Sequence, residues 1–320
     1  MCIRDSSNTV QGLNSAAGNT TGVRLNGNAL TVQQTTGAIS SFAGNITDTG
    51  AGSVNTTGGG GTLALSGNNQ IGGTMSVGTG TTISQTGGSL SVAGNVTNNG
   101  TVSINHTTVT WGGTFTNNGA YLSDPSTQTF NNLAIGTAGT IQASAGDLYR
   151  VGGNFTNLST QNTTWNTSEA ALEFISGSQT THTMQLTGTD LGTAQGANLN
   201  NFAWGSLTID TGNDLSLEGQ TGGGNALYVD DIIGAEISGD EITNILGNDF
   251  NIYYDPYDAA TAYLDGLTYN LEDGGQLIAD ANLPEPTSLA LLLSGLTGSI
   301  LVRRRTRRTS RVRSAADQND

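Results

Sequence analysis

The sequence predicts an all-β chain, a parallel β-helix or β-solenoid with three-strand rungs of about 20 residues, followed by a C-terminal transmembrane helix. Three observations predict it. Short segments of alternating character recur along the chain, a Gly-Asn motif returns after 19 residues, and one apolar run near the end is followed by an arginine cluster.

The strands are clearest between residues 60 and 120. Thr62-Leu63-Ala64-Leu65, Thr74-Met75-Ser76-Val77, Thr82-Ile83-Ser84, Ser89-Leu90-Ser91-Val92, Val102-Ser103-Ile104 and Val109-Thr110-Trp111 are separated by Gly, Asn and Thr turns. Alternation with period two marks a strand with one apolar face. Where the run is unbroken, successive starts fall about 6–8 residues apart, tighter than hairpin strands, so three strands make one coil.

The longer repeat supports the same period. Gly94-Asn95-Val96-Thr97-Asn98-Asn99-Gly100 returns as Gly113-Thr114-Phe115-Thr116-Asn117-Asn118-Gly119 after 19 residues, and as Gly153-Asn154-Phe155-Thr156-Asn157 after a further 40. The earlier relative Gly44-Asn45-Ile46-Thr47 lies 50 residues before the first and implies an insertion or loop. Coils rising about 4.8 Å each would place some nine rungs between residues 8 and 189, in a rod about 43 Å long. Leu63, Leu65, Val77, Ile83, Leu90, Val92, Val96, Val102, Ile104, Trp111 and Phe115 are expected inside, with Asn side chains laddered between rungs. Thr and Ser are expected to face water.

Composition and charge set the boundaries. The chain has 48 Thr, 32 Asn, 47 Gly and no Lys, and only 11% of its residues are charged, well below the usual share of about 25%. Residues 1–189 carry 6 acidic and 3 basic groups, residues 190–282 carry 16 acidic and none basic, and residues 283–320 carry 3 acidic and 7 basic. The solenoid is assigned to 8–189 and an acidic, β-rich closing region to 190–282. Strands are expected there at Ser206–Ile209, Leu215–Leu217, Ala226–Val229 and Asn251–Tyr254, with Leu277 and Ile278 near the last strand and 280–284 as a linker. Once the segment 283–320 is removed, almost no cation is left to meet a phosphate, which excludes nucleic acid as a partner of the mature chain. The single Cys2 permits no internal disulfide.

The last segment, 283–320, carries the most specific pattern. Pro284-Glu285-Pro286 precedes sixteen residues without an ionisable side chain, Thr287 to Val302, and then Arg303, Arg304, Arg305, Arg307, Arg308, Arg311 and Arg313. Sixteen helical residues reach about 24 Å, short of a hydrocarbon core of about 30 Å, and snorkelling arginines cover part of the difference on the cytoplasmic side. The order resembles the PEP-CTERM sorting signal of Gram-negative bacteria. That resemblance implies export, transient anchoring in the inner membrane, and processing by an exosortase near Pro284, Glu285 and Pro286. The tail beyond Arg305 runs longer than in most members. Residues 190–282 also resemble the closing region of autotransporter-like repeat proteins that carry this signal. Met1-Cys2-Ile3-Arg4-Asp5-Ser6 has neither charged n-region nor apolar h-region, so the chain is expected to lack its true start and residues 1–7 to be non-native.

Candidate chemistry is sparse. Asp230-Asp231 could supply an acid and a base for a polysaccharide lyase or hydrolase. The simpler reading is two solvated carboxylates at a strand end, because only Arg24 and Arg150 are available to neutralise a uronate. His106 and His182 lack Cys or carboxylate at ligand spacing and read as polar strand or turn residues. No cofactor is expected. Calcium is the one candidate, through Asp255, Asp258 and Asp265 or through Asp230, Asp231 and Glu236, although neither set matches a known calcium loop. The expectation is therefore a non-enzymatic structural or adhesive protein of the cell surface or extracellular polysaccharide. The alternative is a secreted polysaccharide-degrading enzyme on the same scaffold.

Overall fold

A computed structural model describes residues 6–15, 21–220 and 223–283. The described chain is a parallel β-solenoid of about twelve turns, and its one helix is a 3-10 turn, Ala259–Leu264. The transmembrane helix expected at 287–302 falls outside the described residues. Among the described residues, no helix is long and apolar enough to cross a membrane.

Each rung visits three faces in a fixed order, here named A, B and C. Face A begins with Ile39–Phe42, Thr62–Leu65, Thr82–Thr86, Thr101–Asn105, Ala120–Asp124 and Thr140–Gln142, stacked in parallel. It continues through the pairings of Gln142 with Asn166, Thr167 with Trp204 and Trp204 with Val229, and then through the ladders that end at Val229, Tyr254 and Ala279. Face C runs from Asn8–Val10 through Leu30–Gln34, Val54–Gly58, Met75–Val77 and Val96–Asn98 to Tyr269–Glu272, twelve strands in all. Eleven steps of about 4.8 Å make a rod about 53 Å long. Face B lies between them, and on two rungs faces B and C share one continuous strand, Thr108–Asn117 and Thr127–Ile135.

The sharp bend inside Thr108–Asn117 falls at Gly112-Gly113, where the register shifts between Trp111 and Thr114. A Cβ on Gly113 would sit 2.6 Å from the Gly94 carbonyl carbon and from Asn95 Oδ1. The rung below therefore leaves room for hydrogen only.

The alternation expected from sequence holds at every inward position named above, all of them buried. The repeat also stacks in register, since Val96, Thr97 and Asn98 oppose Phe115, Thr116 and Asn117. Asn98 Nδ2 donates to Asn117 Oδ1 at 2.7 Å, and each amide also donates to the face A strand one rung beyond the one it precedes, at Ala120 O and Thr140 O. These amides form the anticipated ladder, but inside the coil. Phe115 pairs with Leu133 and Leu133 with Phe155, so the 40-residue offset is two rungs.

The early motif does not imply an insertion. Ile46-Thr47 lies on face B, paired with Val23-Arg24, whereas Val96 lies on face C. Asn45 Oδ1 accepts the Asn68 backbone N–H one rung up, as Asn95 Oδ1 accepts that of Thr114. Gly-Asn is a corner device used at two different corners, which breaks its spacing.

The coil closes itself. After Asn251–Tyr254, where a face B strand would follow, the chain turns through Ala259–Leu264 and buries Leu264 completely. Tyr254 Oη donates to Leu267 O at 2.7 Å and Tyr263 Oη to Ile232 O at 3.1 Å, pinning the turn to the end of the rod. Tyr269–Glu272 and Gln276–Ala279 then pair antiparallel, which occupies the ladder edges that would otherwise template another chain. Residues 280–283 are not a free linker. Asp280 and Leu283 are buried, and Asn282 Nδ2 donates to Thr193 O at 2.9 Å.

A second apolar cluster forms outside face A. Tyr228 and Tyr253 oppose each other across rungs and stack at 4.7 Å, covered by Ala197, Ala203 and Leu283. Asp190 locks the covering loop, its two oxygens accepting from Tyr253 Oη at 2.7 Å and Asn251 Nδ2 at 3.0 Å.

Candidate functional site

The closing rungs gather carboxyl groups that are scattered in sequence. Strands Ala226–Ile233 and Asn251–Tyr254 pair from Ala226–Asn251 to Val229–Tyr254, and Tyr254 pairs with Ala279, so Asp230, Asp255 and Asp280 follow the same ladder to the same corner. Asp255 Oδ1 accepts from Tyr257 N at 2.8 Å and Asp280 Oδ1 from Asn282 N at 2.9 Å, one turn repeated in two rungs. Asp258 Oδ1 accepts from Ala260 N at 2.8 Å at the start of the 3-10 turn. Its carboxyl lies near that of Asp231 and raises it.

Carboxyls gathered this closely resist ionising together. Burial, and then the charges of Asp255, Asp231 and Asp258, push the Asp230 carboxyl up to about 7. Burial, with the charge and hydrogen bond of Asp258 and the charge of Asp255, pushes Asp231 up to about 6. Asp231 Oδ1 and Asp280 Oδ2 are buried without a hydrogen-bond partner. The two described arginines lie elsewhere, and Arg150 Nε is committed to Glu173 Oε2 at 2.6 Å.

This geometry corrects the reading of Asp230-Asp231 as solvated carboxylates at a strand end. Both lie within Ala226–Ile233 and are half-buried. Asp231 instead pairs with Asp258, a residue that sequence spacing did not connect to it.

The two proposed calcium sets do not form as written. Asp230, Asp231, Asp255 and Asp258 draw together across them, while Asp265 lines a neighbouring hollow of about 520 Å³ with Tyr257 and Ala281. Among the described residues, no three His, Cys, Asp or Glu side chains are placed to hold a metal ion. His106 sits exposed at a left-handed turn, with φ of 49°. His182 faces inward, fully buried, between Gly153 O at 2.7 Å and Asn213 Oδ1 at 3.1 Å. Pro284, Glu285, Pro286 and the arginines from Arg303 to Arg313 lie outside the described residues.

The fold thus defines a parallel β-solenoid protein with an acidic, self-closing end. Compared with known proteins, the chain matches no family model, no curated protein and no solved structure.

Proposed function

We propose that this chain is an exported structural or adhesive protein of the cell surface or extracellular polysaccharide. One observation carries the reading: the outward positions of the rungs form long columns of small hydroxyl and amide groups with almost no charge. On face A the column starts at Ile39 and runs through Thr62, Thr82 and Thr101 to Thr140, interrupted by Ala120, and on face C it is Thr31, Asn55, Ser76, Thr97 and Thr116. Repeats about 4.8 Å apart present a polymer with many equivalent weak contacts, and avidity then exceeds any single one.

The delivery route in this proposal rests on the terminal pattern. Pro284, Glu285 and Pro286 mark the processing point for an exosortase, the run from Thr287 to Val302 holds the chain briefly in the inner membrane, and Arg303, Arg304, Arg305, Arg307 and Arg308 stay cytoplasmic. The body that remains is strongly acidic.

The test is expression with a secretory leader in a Gram-negative host that has an exosortase. The expected result is a shortened, exported product that cosediments with extracellular polysaccharide, and retention of the uncut form when Pro284, Glu285 and Pro286 are all replaced by Ala. An uncut cytosolic protein would overturn the delivery route. Turnover of pectin, alginate or xylan that disappears in Asp231→Asn would replace adhesion with catalysis.

A further inference from the structure

The turn from face C to face A lengthens on two successive rungs, to residues 158–165 and 187–203. Where these meet, a cavity of about 300 Å³ opens, lined by Trp165, Asn166, Ser168, Asn198, Asn200 and Phe202 among others. Its volume lies at the lower end of the range for small-molecule sites. Its walls are built to stay put. Trp165 is nearly buried, its Nε1–H donates to Thr167 Oγ1 at 2.8 Å, and its ring meets that of Phe202 edge-on at 5.2 Å. Asn201 ties the loop down, with Nδ2 donating to Ala197 O and Thr189 O and Oδ1 accepting from Thr189 N.

Two features go beyond structural need. Asn200 and Phe202 both hold left-handed backbone, at φ 51° and 58°, which a bulky aromatic rarely adopts and which concentrates at ligand-binding loops. Asn198 Oδ1 is buried without a hydrogen-bond donor, an expensive state for an acceptor until an O–H or N–H arrives.

The lining dictates the ligand class. No ionisable side chain lines the cavity, so a charged ligand would find no partner. The amides of Asn166, Asn198 and Asn200 and the Ser168 hydroxyl both donate and accept, as sugar hydroxyls do, and the Trp165–Phe202 wall suits the C–H face of a sugar ring. We propose that this cavity is a subsite for one neutral sugar residue of the polysaccharide that the solenoid faces engage. The assignment rests on the polysaccharide-binding reading but is separable from it.

The experiment titrates the full chain with cellohexaose, xylohexaose and mannohexaose by calorimetry, with trigalacturonate as the charged control, and measures retention on the corresponding insoluble polymers in parallel. Ser168→Trp fills the mouth from an exposed position, and Asn198→Ala removes the unpartnered acceptor. Unchanged thermal midpoints check folding. At least one neutral hexaose is expected to bind, trigalacturonate is not, and each variant weakens that binding at least tenfold. Polymer retention with hexaose binding that is absent, or equal in wild type and variants, overturns the subsite and leaves the adhesive reading standing. Variant-sensitive hexaose binding without polymer retention upholds the subsite and removes the adhesive reading.

Discussion

The rungs from Thr62 to Asn157 and those from Leu158 to Leu283 share one ladder but differ in how many residues each turn takes. Between Thr62 and Asn157, partners on adjacent rungs are 18–22 residues apart. Later they are mostly 25–35 apart, as from Ala171 to Ser206 or Phe155 to Met184. The strand positions nonetheless stay paired, and the added residues emerge at the corners. A ladder sets its strands by their neighbours, whereas a longer loop costs only slowly increasing closure entropy. The first region therefore uses nearly every residue for stacking. The second carries the acidic corner, the outer Tyr228–Tyr253 cluster and the Asn-lined cavity.

Breaking the regular region should have the largest effect. Trp111 is fully buried against Phe115 at 4.8 Å and donates from Nε1 to Tyr121 Oη. Trp111→Ala should cost about 3–5 kcal/mol in chemical denaturation. Tyr228→Phe in the expanded region loses only the bonds to Gly192 O and from Leu191 N, about 1 kcal/mol. Hydrogen exchange should localise that loss to the loop at 187–203, and a global loss would show that the outer cluster supports the rod.

A backbone contrast comes next. Gly113→Ala drives a methyl into the rung below and should cost about 1–3 kcal/mol. Gly212→Ala meets nothing within 4 Å and pays only for its φ of +81°, about 1 kcal/mol. Equal midpoints for the two variants would refute the tight stacking of the regular corners. Asn117→Ala, which removes the bond from Asn98 and that to Thr140 O, should cost about 1–3 kcal/mol.

Individual carboxyls should answer pH in opposite directions, according to what surrounds each of them. Asp230 and Asp231 hold protons more tightly folded than unfolded, reaching about 7 and about 6. Their stabilisation is complete below the unfolded value near 4 and is lost as pH rises through 6 to 7. For Asp48 burial pushes upward, but N–H groups of Gly27, Gly52, Gly50 and Thr49 outweigh it and hold the carboxyl low. Its contribution is present above the unfolded value and lost as pH falls through the folded one. Asp147, buried at a regular corner, shifts upward like the closing cluster. Exchange corrected for intrinsic rates should show Ile232 and Tyr254 less protected at pH 8 than at pH 5, with Ile83 and Val102 unchanged. Uniform loss along the rod would count against Asp230 and Asp231 as its source. Smallest of all, Arg150→Met should change stability by up to about 1 kcal/mol, because its pair with Glu173 is only partly buried.

Much of this fold is legible in the chain because alternation and repeat length are local quantities. Leu63, Leu65, Ile83 and Val102 announce an inward face by their spacing alone, and the Asn98 and Asn117 motifs announce their rung spacing. Legibility fails where position depends on which corner a motif occupies. Gly44-Asn45 carries the same chemistry as Gly94-Asn95 yet turns a different corner, and no neighbouring residue marks the difference. The acidic site was half visible: its residue types stood out, but the partnership of Asp231 with Asp258 depends on a 25-residue rung that no repeat records. Asn198 and Phe202 gave no signal, since a buried acceptor and a left-handed backbone exist only once the loop is folded.

By itself, then, the sequence determined an all-β coil, its inward side chains and its near-absence of cations, because period-two burial and composition need no knowledge of distant residues. Tertiary structure alone decided which carboxyls come together, how the last rung seals its edges and where a neutral cavity opens. Those outcomes depend on side chains brought together by turns of unequal length, and on the loss of water around them, which one-dimensional spacing does not encode.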